Sequence, residues 1–452
     1  MPGPIRPRVL FAAALGLAAL APGARAATTY YVAVGGNDLA AGDSGHPWET
    51  LQHAADTVGP GDTVIVRGGD YDAFELTTSG TVGQRITVAA ATGEIVRIVG
   101  DVPGRGAGIN LEGASYVTID GFRISDRATV GIRAVLCDGV TLRDNVLVHN
   151  GTWGILTGCC DDLLIEGNLA AASVVEHGIY VGNSGDRPTI RGNVIFDNNK
   201  NGIHMNGDLS VDCEGTTTQD GVISNALVEG NTIFGNGAGG GSGINCDGVQ
   251  SSLIRNNLIY DTHASGISLY QIDAGAPASG NRVENNAVLV AANGRWALNI
   301  QNGSINNTAK NNILWSDFAG RGAIDLCSTC TTGFTSDYNA MENQFTLNGG
   351  GSTINLTQWR TSTGQDQHSF AIADSTALAA LFVSSATANY RLATGSAAAN
   401  AGTTIADLPT DLERAARPQG AAYDIGAFEG EGKLFSDTFE TGATTRWSAT
   451  VP

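Results

Sequence analysis

Gly131-Ile132-Arg133-Ala134, Gly154-Ile155-Leu156-Thr157, Gly178-Ile179-Tyr180-Val181 and Gly202-Ile203-His204-Met205 repeat one short pattern at steps of 23, 24 and 24 residues. Outward from this stretch the pattern continues upstream as Gly108-Ile109-Asn110-Leu111. Downstream it returns as Gly243-Ile244-Asn245-Cys246 and Gly266-Ile267-Ser268-Leu269, then in weaker copies at Ala297-Leu298-Asn299-Ile300 and Ala323-Ile324-Asp325-Leu326. The steps stay between 23 and 31 residues except for one of 41 between Gly202 and Gly243, which marks an insertion. Self-similarity at such a period marks a solenoid.

A second strand follows each copy about ten residues later, as in Val140-Thr141-Leu142-Arg143-Asp144-Asn145 and Leu253-Ile254-Arg255-Asn256-Asn257. Its asparagine recurs in register at Asn145, Asn168, Asn193, Asn231, Asn257, Asn286 and Asn312. Stacked asparagines at a turn form an amide ladder that satisfies backbone groups otherwise left unpaired. Two or three short strands per turn with such a ladder describe an all-β, single-stranded right-handed parallel β-helix. A propeller or sandwich would need longer repeats or hairpin turns.

Strand alternation assigns the faces. In Gly-Ile-x-Leu the Ile and Leu point inward and x points out. The outward column reads Asn110, Arg133, Leu156, Tyr180, His204, Asn245, Ser268, Asn299, Asp325, and two residues further on Gly182, Asn206, Asp247, Tyr270, Gln301. The same register stacks Cys137 over Cys160, each six residues after its glycine, and predicts a disulfide between them. Seven cysteines leave at least one without an intrachain partner. Cys327-Ser-Thr-Cys330 has redox or zinc spacing, but with no second such pair zinc is not expected.

Residues 1–26 read as a signal peptide. Arg6 and Arg8 precede an apolar run from Val9 to Leu20, and Ala24-Arg25-Ala26 supplies the cleavage pattern. The run is too short to span a bilayer, so a secreted protein without membrane insertion is expected. Removing it takes three arginines and no carboxylate, leaving 22 basic against 44 acidic side chains, a formal charge of −22 instead of −19. So negative a surface disfavours nucleic acid and anionic lipid as partners. The β-helix is assigned to 27–430, with the repeat core at about 104–340. Ala54-Ala55-Asp56 fits a short helix capping the first coil, which starts at Pro60-Gly61-Asp62-Thr63-Val64-Ile65-Val66, because a bare solenoid end is an aggregation edge. After about residue 340 the repeat fades into an irregular closing region, and 431–452 read as a tail.

Polar side chains concentrate between Gly178 and Gln301. His177, Tyr180, Asn183, His204 and Asn206 fall on two consecutive rungs, and Asn245, Asp247, His263, Tyr270, Gln271, Asp273, Asn299 and Gln301 on those that follow. Amides and carboxylates bond sugar hydroxyls while rings cover apolar sugar faces, so a polysaccharide is the expected partner of a monomeric protein. Tyr180 and His204 are candidates for an acid/base pair, with His263 and Asp247 as further catalytic candidates. A hydrolase would instead draw two carboxylates from Asp208, Asp247 and Asp273. The insertion carries Asp208, Asp212, Glu214 and Asp220, which suggests calcium, a cation taking six to eight oxygens. No organic cofactor is expected.

Tyr30 to Tyr71 resembles the opening of secreted β-helix proteins that include family 9 pectate lyases. The Gly-Ile and Asn coils resemble the pectate-lyase-like superfamily, and Asp424-Ile425-Gly426-Ala427-Phe428-Glu429 is similar to the closing motif of choice-of-anchor Q proteins. One fold hosts many chemistries. Family 9 lyases take their base from a groove lysine near a calcium site, whereas Lys200, Lys310 and Lys433 all fall outside the outward columns. Cys160-Asp161-Asp162 lacks the motifs that accompany the polygalacturonase aspartates. Three readings stand: a lyase or C5-epimerase acting on a uronate-containing polysaccharide, a glycoside hydrolase with an aspartate pair, or a non-catalytic carbohydrate-binding or cell-surface solenoid.

Overall fold

The structure, a computed structural model, describes residues 26–215 and 217–430. The expected leader, apart from Ala26, and the tail lie outside the described residues.

The chain winds as a right-handed parallel β-helix of about twelve turns. Its first sheet has twelve strands, from Thr29–Val32 to Thr335–Asp337. The second has eleven, from Phe74–Leu76 to Phe345–Thr346, and the third has twelve, from Gly69–Tyr71 to Phe370–Ile372. The Gly-Ile repeats form the second sheet. Ile109, Ile132, Ile155, Ile179, Ile203, Ile244 and Ile267 all point inward and are fully buried, one above another. Each contributes about 1.5–3 kcal/mol on burial, so the stacked isoleucines form a continuous stabilising column inside the coil.

The outward column runs as the alternation predicts. Tyr180 pairs with Leu156 on one side and His204 on the other, His204 pairs with Asn245, and Asn299 pairs with Asp325. The extra residues between Gly202 and Gly243 do not disturb this register. They leave the coil after Asn206 and return to the first sheet at Leu227–Glu229, which pairs with the preceding coil's Thr189–Arg191.

The asparagine ladder forms at the turn between the first and third sheets. Asn145, Asn168, Asn193, Asn231, Asn257, Asn286 and Asn312 each donate from Nδ2 to Oδ1 of the next, at 2.9–3.1 Å, and Asn339 completes the column. The residue before each ladder asparagine lies in the left-handed region, for example Asp144 (φ 55°), Gly167 (67°), Asn256 (52°) and Asn311 (55°). This explains why Gly, Asn and Asp dominate that position.

Both ends are closed. Helix Leu51–Thr57 caps the first coil, its N-terminus held by Thr50 Oγ1, which accepts from the His53 N–H. A second helix, Leu356–Thr363, was not legible in the fading repeat. It opens with a capping box between Asn355 and Gln358 and seats Trp359, wholly buried, against Phe345 at the last rung. The segment after it folds back along the ladder. Asn256, Asn285 and Asn311 donate their side-chain amides to the carbonyls of Thr410, Asp424 and Thr403.

Cys137 and Cys160 are bridged as expected. Two further bridges were not anticipated: Cys159–Cys213, which ties the insertion to the second sheet, and Cys327–Cys330. Cys246 is free and buried. No helix among the described residues is long and apolar enough to cross a membrane.

Candidate functional site

Tyr180 and His204 project from paired positions on the second sheet, and their ring centroids lie 5.2 Å apart, edge to face. Three more rings complete or border the cluster. His177 sits 4.7 Å from His204 and 5.6 Å from Tyr180, and Trp153 lies 6.1 Å from Tyr180. Two residues along each strand, Asn206 donates from Nδ2 to the Tyr180 hydroxyl at 3.1 Å. Tyr270 stands two rungs beyond Asn206 in the same column, with Asp247 between them.

The hydrogen bonds at the centre are incomplete. His204 Nε2, Asn206 Oδ1, Asn245 Oδ1 and Trp153 Nε1 are buried and have no partner in the protein. Buried polar atoms without partners are rare in folded proteins, and each costs about 1–3 kcal/mol. These four fall within four consecutive rungs of this face, where a polar ligand would complete them, and others lie elsewhere, as at Ser304 and Arg417.

Burial sets the protonation states. It lowers the His204 imidazole to about 4, with the nearby Lys200 charge a smaller contribution. Burial lowers His177 further, to about 2, helped by His204 and Lys200. Both rings are therefore neutral at pH 7. Burial raises the Tyr180 phenol, reinforced by Asp208, Asp273 and Asp247. Tyr270 is raised for the same first reason, with Asp247 next. Both phenols hold their protons at neutral pH.

The other expected site residues separate into groups. His177 does not face the groove; it is 5 % exposed, and Asn201, Glu176 and His204 take up its ring nitrogens. Asp247, also buried, accepts from the backbone N–H groups of Ile272, Asp273 and Ala274, so its carboxylate clamps the neighbouring loop instead of facing open space. Asn183 borders the groove at the strand end, in the left-handed region at φ 63°. Gln271 donates to Ala274 O within the clamped loop, where Asp273 is exposed. Asn299 and Gln301 hydrogen-bond each other further along the groove, beyond Ser268.

His263 is not in this cluster. It lies on the turn between the third and second sheets, bonded to Asn293, and lines a shallow depression with His149, Asp197 and Asn199. Its place after the third-sheet strand, not its proximity in sequence to Tyr270, decides this. The expected calcium ligands are not brought together either. Asp208 binds Ser210, Asp212 binds the Glu214 N–H and Asp220 binds the Val222 N–H. Among the described residues no three His, Cys, Asp or Glu side chains converge as metal ligands. Short acidic side chains in this loop serve its own turns.

Four residues missed from sequence shape the centre: Trp153, Glu176, Lys200 and Asn201. Lys200 Nζ contacts Glu176 Oε1 at 2.7 Å, and Glu176 Oε2 contacts His177 Nε2 at 3.2 Å. Trp153 and Asn201 each immediately precede a repeat glycine, the position His177 also holds, so the period alone stacks the three.

A sequence family described as "Right handed beta helix region" matches residues 96–218 and 173–358. Among solved structures, pectate lyase Pel9A is similar over 89 % of this chain and 96 % of its own, at TM-score 0.55 and 18 % identity. A rhamnogalacturonan lyase covers 66 % of this chain and 84 % of its own (TM-score 0.48, 17 % identity). A glycoside hydrolase covers 75 % and 99 % (TM-score 0.48, 11 % identity). At these identities the likeness is one of fold. No curated protein matches the chain.

Proposed function

The chain belongs to the right-handed β-helix family, and from that premise we propose that its second-sheet groove binds and cleaves or epimerises a uronate-containing polysaccharide. The observation that carries the reading is the Tyr180–His204 pair, two proton-handling rings 5.2 Å apart, set among buried polar atoms that lack partners. β-Elimination and C5-epimerisation both remove the C5 proton and need hydrogen bonds to the carboxylate, and elimination also protonates a leaving oxygen. Tyr180, His204, Asn206 and Asn245 offer the hydrogen bonds and the proton donor on adjacent rungs. One solved structure similar over most of both chains is itself a pectate lyase, which fits the class. Export to the outside of the cell, expected from the leader, would place the protein where such polymers are met.

A hydrolase reading rests on Asp208 and Asp273, since Asp247 is held by three backbone N–H groups. Incubating the mature protein with pectin, alginate, glycosaminoglycan and neutral glycans separates the readings. Unsaturated ends absorbing in the ultraviolet support the lyase. Reducing ends without that absorbance identify a hydrolase. Altered C5 configuration without cleavage identifies an epimerase, and binding without any product leaves a carbohydrate-binding solenoid.

A further inference from the structure

We infer that His177 is a positioning residue that locks His204 in the tautomer with its proton on Nε2, so that His204 meets the substrate as a hydrogen-bond donor. The inference rests on the groove being the reactive surface, but the tautomer itself is fixed by geometry alone.

The backbone N–H of Asn201 points at His177 Nδ1 from 3.2 Å, and the Asn201 side-chain amide lies at the same distance. A backbone N–H can only donate, so Nδ1 of His177 is the acceptor and carries no proton. A neutral His177 must then carry its proton on Nε2. That nitrogen lies 3.0 Å from His204 Nδ1 and 3.2 Å from Glu176 Oε2, so its N–H is directed at both acceptors. His204 Nδ1 cannot also bear a proton, because two N–H groups would face each other at 3.0 Å. The proton of neutral His204 therefore sits on Nε2, the buried atom with no partner in the protein.

The chain of donors runs in one direction, from the Asn201 backbone through His177 to His204 and out to the groove. Glu176, anchored by Lys200, sits beside the middle link and favours a proton on His177 Nε2. A neutral Nε2–H is not a base. Toward the polysaccharide it donates to an oxygen, either the carboxylate or the oxygen being released, and removal of the C5 proton falls to another group. Both members of the Tyr180–His204 pair then meet the substrate as donors, and His177, which does not touch the groove, specifies this for His204.

Long-range proton–nitrogen NMR correlation on the ¹⁵N-histidine-labelled full chain at pH 7 reads the tautomer directly, with the His204→Gln spectrum identifying the His204 signals. The expected result is a single His204 tautomer, protonated at Nε2. In His177→Phe, which keeps a buried ring but no donor, the His204 nitrogens should move toward values averaged over both tautomers. His177→Gln, whose amide can place an N–H toward His204, should restore the wild-type pattern. A wild-type His204 protonated at Nδ1 overturns the inference whether or not the variants fold, and so does an unchanged tautomer in folded His177→Phe. Absence of product from every glycan would count against the proposed reaction and leave the tautomer result standing.

Discussion

Arg417 and Glu429 form a 2.7 Å ion pair from which solvent is fully excluded, both side chains being 0 % exposed. Arg417 also donates to Asn256 Oδ1 and Gly426 O, and Glu429 accepts from the backbone of Gln419 and Asp424. The closing motif Asp424–Glu429 thus fastens the last described residues beside the middle of the asparagine ladder. Breaking one partner leaves the other charge buried and alone, which costs about 3–5 kcal/mol. Glu429→Ala should lower the thermal midpoint markedly in scanning calorimetry, and it should release the residues after 400 to proteolysis before the coils themselves unfold.

Asn257 stands mid-ladder, donating to Val228 O and Asn286 and accepting from the backbone and side chain of Asn231. Asn257→Ala removes all four contacts and leaves buried groups unpaired at about 1–3 kcal/mol each. Asn257→Asp keeps the acceptors but loses the donors, so its loss should be real but differently distributed. Denaturation against wild type should give a lower midpoint for both variants.

Activity should depend on the central rungs and not on the loop acids. Tyr180→Phe and His204→Ala should each reduce turnover by about 10²–10⁴-fold with circular dichroism unchanged. Asp212→Asn and Glu214→Gln should leave it within a factor of about two, since neither side chain joins the cluster, and a chelator should have no effect at saturating substrate. Full activity in His204→Ala would remove it from the chemistry.

Stability should fall as pH drops from about 6.5 toward 4 through His204. Unfolded histidine takes up its proton near 6.5, while burial delays protonation of folded His204 to about 4. The unfolded state therefore binds more protons in that window, a contribution of roughly 3 kcal/mol present above it and lost below. His177 extends the loss toward pH 2. Glu342 acts with opposite sign, since burial raises it to about 7 and its contribution is lost as pH rises from about 4.5 through 7. The test is therefore a difference: His204→Gln should flatten the pH dependence of the melting temperature between 7 and 4, and an identical slope in both proteins would refute the assignment.

The winding, the ladder, the Cys137–Cys160 bridge and the outward columns were legible because each follows from a period, and stacking makes residues one period apart neighbours. Trp153 and Asn201 obey the same period, but alternation counted forward from the glycine does not reach them. What no period encodes is where irregular backbone returns. Asp247 reads as an outward carboxylate by its register with Asn206 and Tyr270, and only the folding of residues 272–274 over it turns it into a clamp. His263 and the insertion acids depended on turn geometry in the same way, and the capping helix at Trp359 lies where repetition has stopped.

His204 keeps its place opposite Asn245 although 41 residues separate their coils. The strands on either side of the insertion are indifferent to what is written between them, so this corner tolerates new sequence as a socket tolerates different tools. A loop of other length or composition set between Asn206 and Ile223, with Cys159 replaced alongside Cys213, should change what the groove admits while the pairing of the rungs that carry Tyr180 and His204 stays fixed.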